Sequence, residues 1–255
     1  MTFRVLLAPV AVLALFSLGC KDSAGPDTAP KSAVQLTFKP TYDGQALDKD
    51  TDYNYGSFPV RFSLFNLYVS DLTLLKGTAE VKLSEVEFLN FTPDNATTTL
   101  AKTIVINYPD AVAAGTYTGI RLGFGVKPAL NAKEPADFQP GHPLYLEDSY
   151  WPGWQSYIFS KIEGAGFPNG SGSPALDLVY HCGGNQCYKT FSFNQDFVVT
   201  DNGGQLNLVI DLKKLFTFNG QLFDIEATPS SSHGSSGADL MEQLMGNFGN
   251  AVKVD

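Results

Sequence analysis

Apolar and polar residues alternate along most of the chain, with the period of two that half-buried β-strands require. The first such run, residues 34–39, alternates strictly. In the second run the pattern changes phase at Leu64–Phe65, which predicts a bulge or two short strands there. Strands are predicted over residues 34–39, 60–75, 81–91, 103–107, 117–126, 157–163, 175–181, 188–200 and 206–212.

The segments between these runs have the composition of turns and loops. Residues 109–115 and 201–204 are turn-rich, residues 128–146 form a long loop rich in Pro, Ala and Asn, and residues 164–174 are rich in Gly, Ser and Pro. There is no repeat of fixed period and no alternation of strands with helices. Short strands joined by turns predict an all-β fold, an antiparallel β-sandwich of immunoglobulin-like or jelly-roll-like type.

The C-terminal segment has a different pattern. After a flexible loop over residues 229–237, Leu240, Leu244 and Phe248 fall on one helical face, and Ser236 begins a Ser-x-x-Asp cap before them. A helix of about two to three turns is too short to stand alone, so we expect it to pack back on the sandwich. The predicted domain therefore covers residues 33–255, including this loop and helix.

The N-terminus has the pattern of an export signal. Arg4 precedes an uncharged apolar run over residues 5–18, which ends at Gly19-Cys20. This junction resembles a bacterial lipobox, with Ser17 where Leu is usual. Residues 1–20 are therefore predicted to be a lipoprotein signal peptide and lipobox with Cys20 lipidated, and residues 21–32 a flexible tether. The alternative is ordinary signal cleavage, with Cys20 incidental.

A lipidated Cys20 would attach the protein to a membrane of the bacterial cell envelope. We expect it on the periplasmic or the cell-surface side of the outer membrane. Such an oxidising compartment favours disulfides over thiols.

Composition and charge limit the classes of function. The chain has 255 residues, of which 44% are hydrophobic and 13% aromatic, which is enough for one large β domain. Its formal net charge is −9 and it has no basic run, which argues against binding nucleic acid or anionic lipid.

The usual catalytic motifs are missing from the sequence. It has no Gly-x-Ser-x-Gly motif, no Gly-rich loop that would bind phosphate and no cysteine placed as a nucleophile. Glu147, Asp148 and Glu163 could in principle form a glycosidase acid pair, but carboxylates beside aromatic residues are common in loops and strands. We therefore expect a protein that is not an enzyme.

Two dense motifs lie about twenty residues apart, and we interpret the fold as a scaffold that brings them together. The first contains both tryptophans, Trp151 and Trp154, separated by the turn-forming Pro152-Gly153. The second runs from Leu178 to Cys187 and contains His181 and two cysteines. We expect Cys182 and Cys187 to form a disulfide that closes a Gly-rich turn; a thiolate metal site with His181 is the alternative.

Histidine and methionine supply the other candidate metal ligands. The chain has three histidines, His142, His181 and His233, and imidazole suits copper and zinc in a protein without free thiols. Each histidine taken alone is more often structural or solvent-exposed. Met241 and Met245 are four residues apart on the predicted helix, a spacing that fits cuprous copper ligands and equally fits a helix core.

Several segments, in this order, resemble the MbnP-like copper-binding family. They are Val34-Gln-Leu-Thr-Phe, Tyr42-Asp-Gly-Gln-Ala-Leu, Phe65-Asn-Leu-Tyr-Val-Ser-Asp-Leu-Thr-Leu, the tryptophan segment from Tyr150 to Gly164, Tyr180-His181-Cys182-Gly183, and the late His233 followed by an apolar helix. The resemblance spans residues 34 to about 250 and rests on the order and spacing of the segments.

The resemblance implies an extracytoplasmic protein that binds copper for storage or delivery. In the family a tryptophan oxidised to kynurenine and two histidines hold the copper, and a dihaem cytochrome c peroxidase-like partner performs the oxidation. Carried onto this chain, the metal site would contain His181, His233 and either Trp151 or Trp154, holding copper as Cu(I).

One other function is compatible with the same residues. A non-catalytic β-sandwich module could use the aromatic stretch to bind a carbohydrate or a partner protein, without any metal. The metal content of the purified protein distinguishes this alternative from the copper-binding hypothesis.

Overall fold

Two β-sheets form the body of the protein in a computed structural model, which describes residues 30–93, 99–171, 175–231 and 238–255. The strands are β1 (Lys31–Tyr42), β2 (Gln45–Ala46), β3 (Tyr53–Tyr55), β4 (Phe58–Lys76), β5 (Ala79–Asn90), β6 (Ile104–Ala113), β7 (Gly115–Phe124), β8 (Tyr150–Trp151), β9 (Ser156–Gly166), β10 (Leu176–Gly183), β11 (Lys189–Val199), β12 (Gly204–Asp211), β13 (Thr217–Phe218), β14 (Gln221–Leu222), β15 (Ser230–Ser231) and β16 (Val252–Val254). The helices are α1 (Pro128–Asn131), α2 (Leu212–Leu215), α3 (Ala238–Gly246) and α4 (Phe248–Ala251).

The smaller sheet has the order β16-β12-β1, with β6 and β2 both paired to the other edge of β1. The larger sheet has the order β11-β7-β4-β9-β10-β15; β3 and β5 also pair with β4, and β8 pairs with β9. Pairing is antiparallel except between β1 and β12 and between β10 and β15. The predicted all-β sandwich is thus confirmed.

The core lies between the two sheets because each strand turns its apolar side chains inward. The buried hydrophobic residues of β1 include Val34, Leu36 and Phe38, and β12 runs beside it with Leu206 and Leu208 in register. Complete burial of one such side chain stabilises the fold by about 1.5–3 kcal/mol. Side chains at every second position of these strands therefore pack in the core, and those at the alternate positions lie on the outer faces of the sheets.

The 19-residue strand β4 joins the parts of the larger sheet. Along one edge of β4, its first part pairs with β9 and its second part with β7. Along the other edge, its first part pairs with β3 and its second part with β5. Its register with β9 shifts between Phe62 and Leu64, next to the predicted change of phase, so the bulge is confirmed. A second irregularity lies at Leu72–Thr73, directly after Asp71, which has a φ of 49°.

Strand β6 corrects the prediction of a turn over residues 109–115. It continues through Pro109 to Ala113 because Lys31 and Ser32 of β1 pair with Ala113 and Val112. Asp110, with a φ of 49°, gives this extension its local kink. Lys31 and Ser32, the last residues of the predicted tether, thus belong to β1. Residues 1–29 lie outside the described part of the chain.

The C-terminal helix packs back on the sandwich, as predicted. Met241, Leu244 and Met245 of α3 are buried in the core. Of the two roles that the spacing of the methionines fits, copper ligands or core residues of a helix, the structure shows the core role. Just beyond α3, the ring of Phe248 stacks on that of Phe124, with centroids 4.7 Å apart and planes inclined by 14°. None of the described helices has the length and apolar character that a membrane span needs. The predicted cap at Ser236 lies outside the described residues.

Candidate functional site

The tryptophan motif forms a β-hairpin. Tyr150 and Trp151 of β8 pair with Tyr157 and Ser156 of β9, and the turn between them is closed by a bond from the Trp154 N–H to the Trp151 carbonyl (3.1 Å). The two indoles have different surroundings: Trp151 is 41% exposed, whereas Trp154 is partly buried against the core. The Pro-Gly turn thus divides the two tryptophans between surface and interior.

Trp154 packs directly on the strand that carries His181. A Cβ built on Gly183 would lie 2.8 Å from Cζ3 of Trp154, so only glycine allows this close approach. Gly183 is two residues beyond His181 on β10, which corresponds to about 7 Å along a strand. The structure therefore brings together the two motifs that the sequence analysis placed at the centre of the fold.

A buried amide holds this arrangement. Oδ1 of Asn131 accepts hydrogen bonds from the Ser156 hydroxyl (3.0 Å) and the Tyr157 N–H (2.9 Å), and its Nδ2 donates to Oδ1 of Asn185 (3.0 Å). The Gly184 N–H in turn donates to the Ser156 hydroxyl oxygen (2.9 Å). Asn131 is 4% exposed, so one side chain joins the end of α1, the start of β9 and the turn after β10.

His181 is held on the face of the larger sheet that points away from the core. Its Nε2 lies 2.7 Å from Oε1 of Glu163, and the histidine side chain is 14% exposed. Lys161 stands directly opposite His181 on β9, so the two side chains share this outer face with Glu163. Burial lowers the pKa of Lys161, and Asp148 and Glu163 oppose that shift; the Nζ of Lys161 donates to the Asp148 carbonyl oxygen.

The chain next to His181 leads towards His233. Strand β15 runs parallel to β10, with Val179 opposite Ser230 and Tyr180 opposite Ser231. His233 lies outside the described residues, two positions beyond Ser231 in the sequence.

His142 has a local structural role. Its ring stacks on Phe138, with centroids 4.4 Å apart, and its Nδ1 accepts a hydrogen bond from the Leu144 N–H (3.1 Å) at the start of a 3₁₀ turn, Pro143–Tyr145. His142 is thereby engaged by its own loop. This agrees with the expectation that a histidine taken alone is structural or exposed.

The structure differs from the predicted disulfide: Cys182 and Cys187 are two buried free thiols. Cys182 points into the core, and Cys187 is buried in the 3₁₀ turn Asn185–Cys187. Burial raises the pKa of Cys182 well above its ordinary value and, helped by Glu242, raises that of Cys187 to about 11. Thiols that stay protonated are weak metal ligands, and successive residues of a strand face opposite sides, which separates Cys182 from His181.

The described residues contain no group of three or more His, Cys, Asp and Glu side chains that could hold a metal ion. They provide the pair His181 and Glu163, so any further ligand must come from a different residue type or from outside the described ranges. Of the carboxylates considered for a glycosidase pair, Glu147 and Asp148 are exposed. Glu163 and Asn131 are contributions that the sequence analysis did not assign to this site.

Comparison with known proteins identifies the family. The model of the MbnP family matches residues 31–234. The chain belongs to the MbnP family. That membership links it to copper at the level of the family.

A solved structure, MbnP from Methylosinus trichosporium, has the same fold. The TM-score is 0.55 at 14% sequence identity, over 82% of this chain and 83% of that one. At this identity the similarity shows the fold alone. No curated protein matches the chain.

Replacing Asn131 tests whether its amide holds the hairpin against the His181 strand. We expect Asn131→Ala to lower the free energy of unfolding by about 1–3 kcal/mol, because it leaves buried polar groups without partners. The tryptophan emission should also shift as Trp154 loses its fixed position. Thermal unfolding and fluorescence measure both, with the exposed Asn54→Ala as control. A variant that matches wild type in both measurements would show that the amide is dispensable.

Thiol labelling tests the state of the two cysteines. In unreduced, unfolded mature protein we expect two reactive thiols from Cys182 and Cys187, and in the folded protein very slow labelling because both are buried and protonated. Absence of reactive thiol after unfolding would demonstrate a disulfide instead.

Proposed function

We propose that this MbnP-family protein binds copper at His181, with His233 as the second imidazole and Trp154 beside them. The single observation that supports this most directly is the position of His181. It is oriented by Glu163, lies two residues from the glycine on which Trp154 packs, and adjoins the strand that leads to His233. Family membership supplies the identity of the metal.

The residues present suit a copper ion as cargo. Histidines that bind metal ions commonly bond a carboxylate through one ring nitrogen, which fixes the orientation of the ring. Glu163 occupies this position beside His181. Because the two thiols are buried and held protonated, imidazole is the better donor here, and a site with few ligands suits cuprous copper.

Trp154 is the better of the two candidates for a tryptophan that takes part in the site. It contacts Gly183, near His181, while Trp151 is 41% exposed on the hairpin. We therefore assign to Trp154 the oxidation to kynurenine that the family resemblance implies, and to Trp151 a place on the surface that an oxidising partner would meet. That partner would be a dihaem cytochrome c peroxidase-like protein.

The protein would act by binding, without catalysis, at the cell envelope. The lipobox-like sequence at Cys20 and the tether that follows would attach it to the periplasmic or cell-surface side of the outer membrane. The fixed imidazole of His181 and a second imidazole on a loop would let copper enter and leave, which suits storage or delivery.

A binding module without metal is the second candidate, and one feature favours it. Tyr145, Leu146 and Trp151 are each at least 40% exposed, within seven residues of one another in the sequence. Large apolar side chains exposed close together are typical of surfaces that bind a carbohydrate or a partner protein.

Replacing His181 tests the copper site. We expect His181→Ala to weaken copper binding at least tenfold, about 1.4 kcal/mol, because a site of two or three ligands loses its fixed imidazole. His142→Ala, whose ring is engaged within its own loop, should leave the affinity unchanged. Titrations with cuprous and with cupric copper measure both variants. Wild-type protein that binds neither form better than micromolar would contradict the proposal and favour the metal-free module.

The N-terminus of protein from the native membrane tests the anchor. We expect it to begin at Cys20 carrying lipid, because the apolar run ends there and the tether follows. Mass spectrometry of the N-terminal peptide measures this, and Cys20→Ser should release the protein from membranes. An unmodified N-terminus beyond residue 20 would refute attachment while leaving export intact.

A further inference from the structure

The outer face of the smaller sheet carries a patch of uncharged polar side chains in register across three strands. The central strand is β1, with β6 on one side and β12 on the other. Gln35 stands opposite both Asn107 and Gln205, and Thr37 opposite both Val105 and Asn207. We call these six residues the amide platform.

The platform faces away from the core because the residues that alternate with it along the strands are the ones that pack in the core. Leu36 and Leu206, between the two rows, are buried in the core, and Ile106 packs against it. Side chains at i and i+2 of a strand share a face, so the two rows point outward together. Val105 at one corner is 47% exposed, which confirms that this face meets solvent.

The four amides are arranged in two hydrogen-bonded pairs. Nε2 of Gln35 donates to Oδ1 of Asn107 (2.9 Å), and Nε2 of Gln205 donates to Oδ1 of Asn207 (3.2 Å). After each bond, one side chain of the pair still has a carbonyl oxygen that can accept, and the other an NH2 group that can donate. Each pair thus offers an acceptor and a donor from neighbouring positions.

Thr37, at the centre of the second row, is 5% exposed. Its Oγ1 is buried and has no hydrogen-bond partner among the described residues. A buried hydroxyl without a partner is less favourable than one that is hydrogen-bonded. The platform is therefore not optimised for stability alone.

A concavity of about 370 Å³ adjoins the first row. It is lined by Ala33, Val34, Gln35, Asn107 and the turn that joins β11 to β12, residues 202–205. Within the described ranges, none of the residues that line it carries a charge. Asn202 brings another primary amide to the same place. The concavity is broad and open to solvent.

We propose that the amide platform and its concavity bind a neutral glycan. The residues that line the concavity include no cation to hold an anionic ligand and no carboxylate to hold a cationic one. The nearest charged residues, Lys39 on β1 and Asp255, whose backbone pairs with that of Asn207, flank the second row instead. Val105 is the platform's one large apolar side chain, too little to hold an apolar ligand. Adjacent donor and acceptor groups match neighbouring sugar hydroxyls, each of which both donates and accepts. No aromatic ring belongs to the platform, so the affinity comes from hydrogen bonds and lies in the millimolar range. The site is on the smaller sheet, whereas His181 is on the larger one, so the two proposals are independent.

The experiment titrates the mature protein with two neutral probes, cellotetraose and tetra-N-acetylchitotetraose, and follows the amide resonances by NMR. We expect at least one probe to bind with a millimolar dissociation constant and to shift the side-chain amides of Gln35, Asn107 and Gln205. The double variant Gln35→Ala/Asn107→Ala should weaken binding at least tenfold. Gln195→Ala, which removes an exposed amide from β11 of the larger sheet, should not change it.

A second variant keeps the test informative if the double variant does not fold. Val105→Glu adds a charge at an exposed corner without removing core contacts, and it should also weaken binding while the thermal transition stays in place. The proposal is overturned if neither probe binds at tens of millimolar, if the shifts fall on the tryptophan hairpin, or if both platform variants bind as tightly as wild type.

Discussion

The register between β9 and β10 determines which side chains the larger sheet presents to solvent. In this register His181 faces away from the core beside Lys161 and Glu163, and Tyr180 and Cys182 face into it. A slip of one residue would exchange the two sets, placing the imidazole in the core and the Cys182 thiol outside. The burial of Tyr180 and Cys182 therefore also fixes the exposure of His181.

The separation of His181 from the cysteines follows from that constraint and has chemical consequences. Neighbouring residues in the sequence would make a mixed imidazole and thiolate site easy to imagine. In the structure the strand places Cys182 and His181 on opposite faces, Cys187 is buried in the following 3₁₀ turn, and burial keeps both thiols protonated. The imidazole is left with a carboxylate neighbour, Glu163, an environment that orients the ring and suits an ion that binds nitrogen donors.

The sequence predicts the strands well and the contacts between them poorly. A period of two reveals where a strand buries one face, and the phase change near Leu64 revealed the bulge in β4. Tertiary pairing overrode local turn propensity at Pro109, where β1 extends β6 to Ala113. Nothing in the local pattern indicates that Glu163 meets His181, because the long loop between β9 and β10 leaves their register open.

Asn131 is a second residue whose role could not be predicted from the local sequence. It lies in a stretch whose Pro, Ala and Asn content predicts a loop, and Pro128 at the first turn of α1 is the one local sign of a helix start. Its importance comes from burial beside Ser156 and Asn185, which are distant in sequence. The sequence analysis expects the fold to bring the tryptophan motif and the His181 motif together but leaves open which tryptophan is involved; the structure shows that Trp154 packs on the His181 strand.

The outer faces of the two sheets differ in electrostatic character, and this difference separates what each can bind. A net charge of −9 favours the approach of cations to the protein as a whole, because the summed field raises their local concentration. On the larger sheet, Glu163 contacts His181, and Lys161, which stands opposite His181, donates to the Asp148 carbonyl oxygen. On the smaller sheet the residues that line the concavity are neutral, and the nearest charged groups, Lys39 and Asp255, flank the second row of the platform. A copper ion and an uncharged polyol would therefore select different faces of the same sandwich, and neither would compete with the other for a ligand.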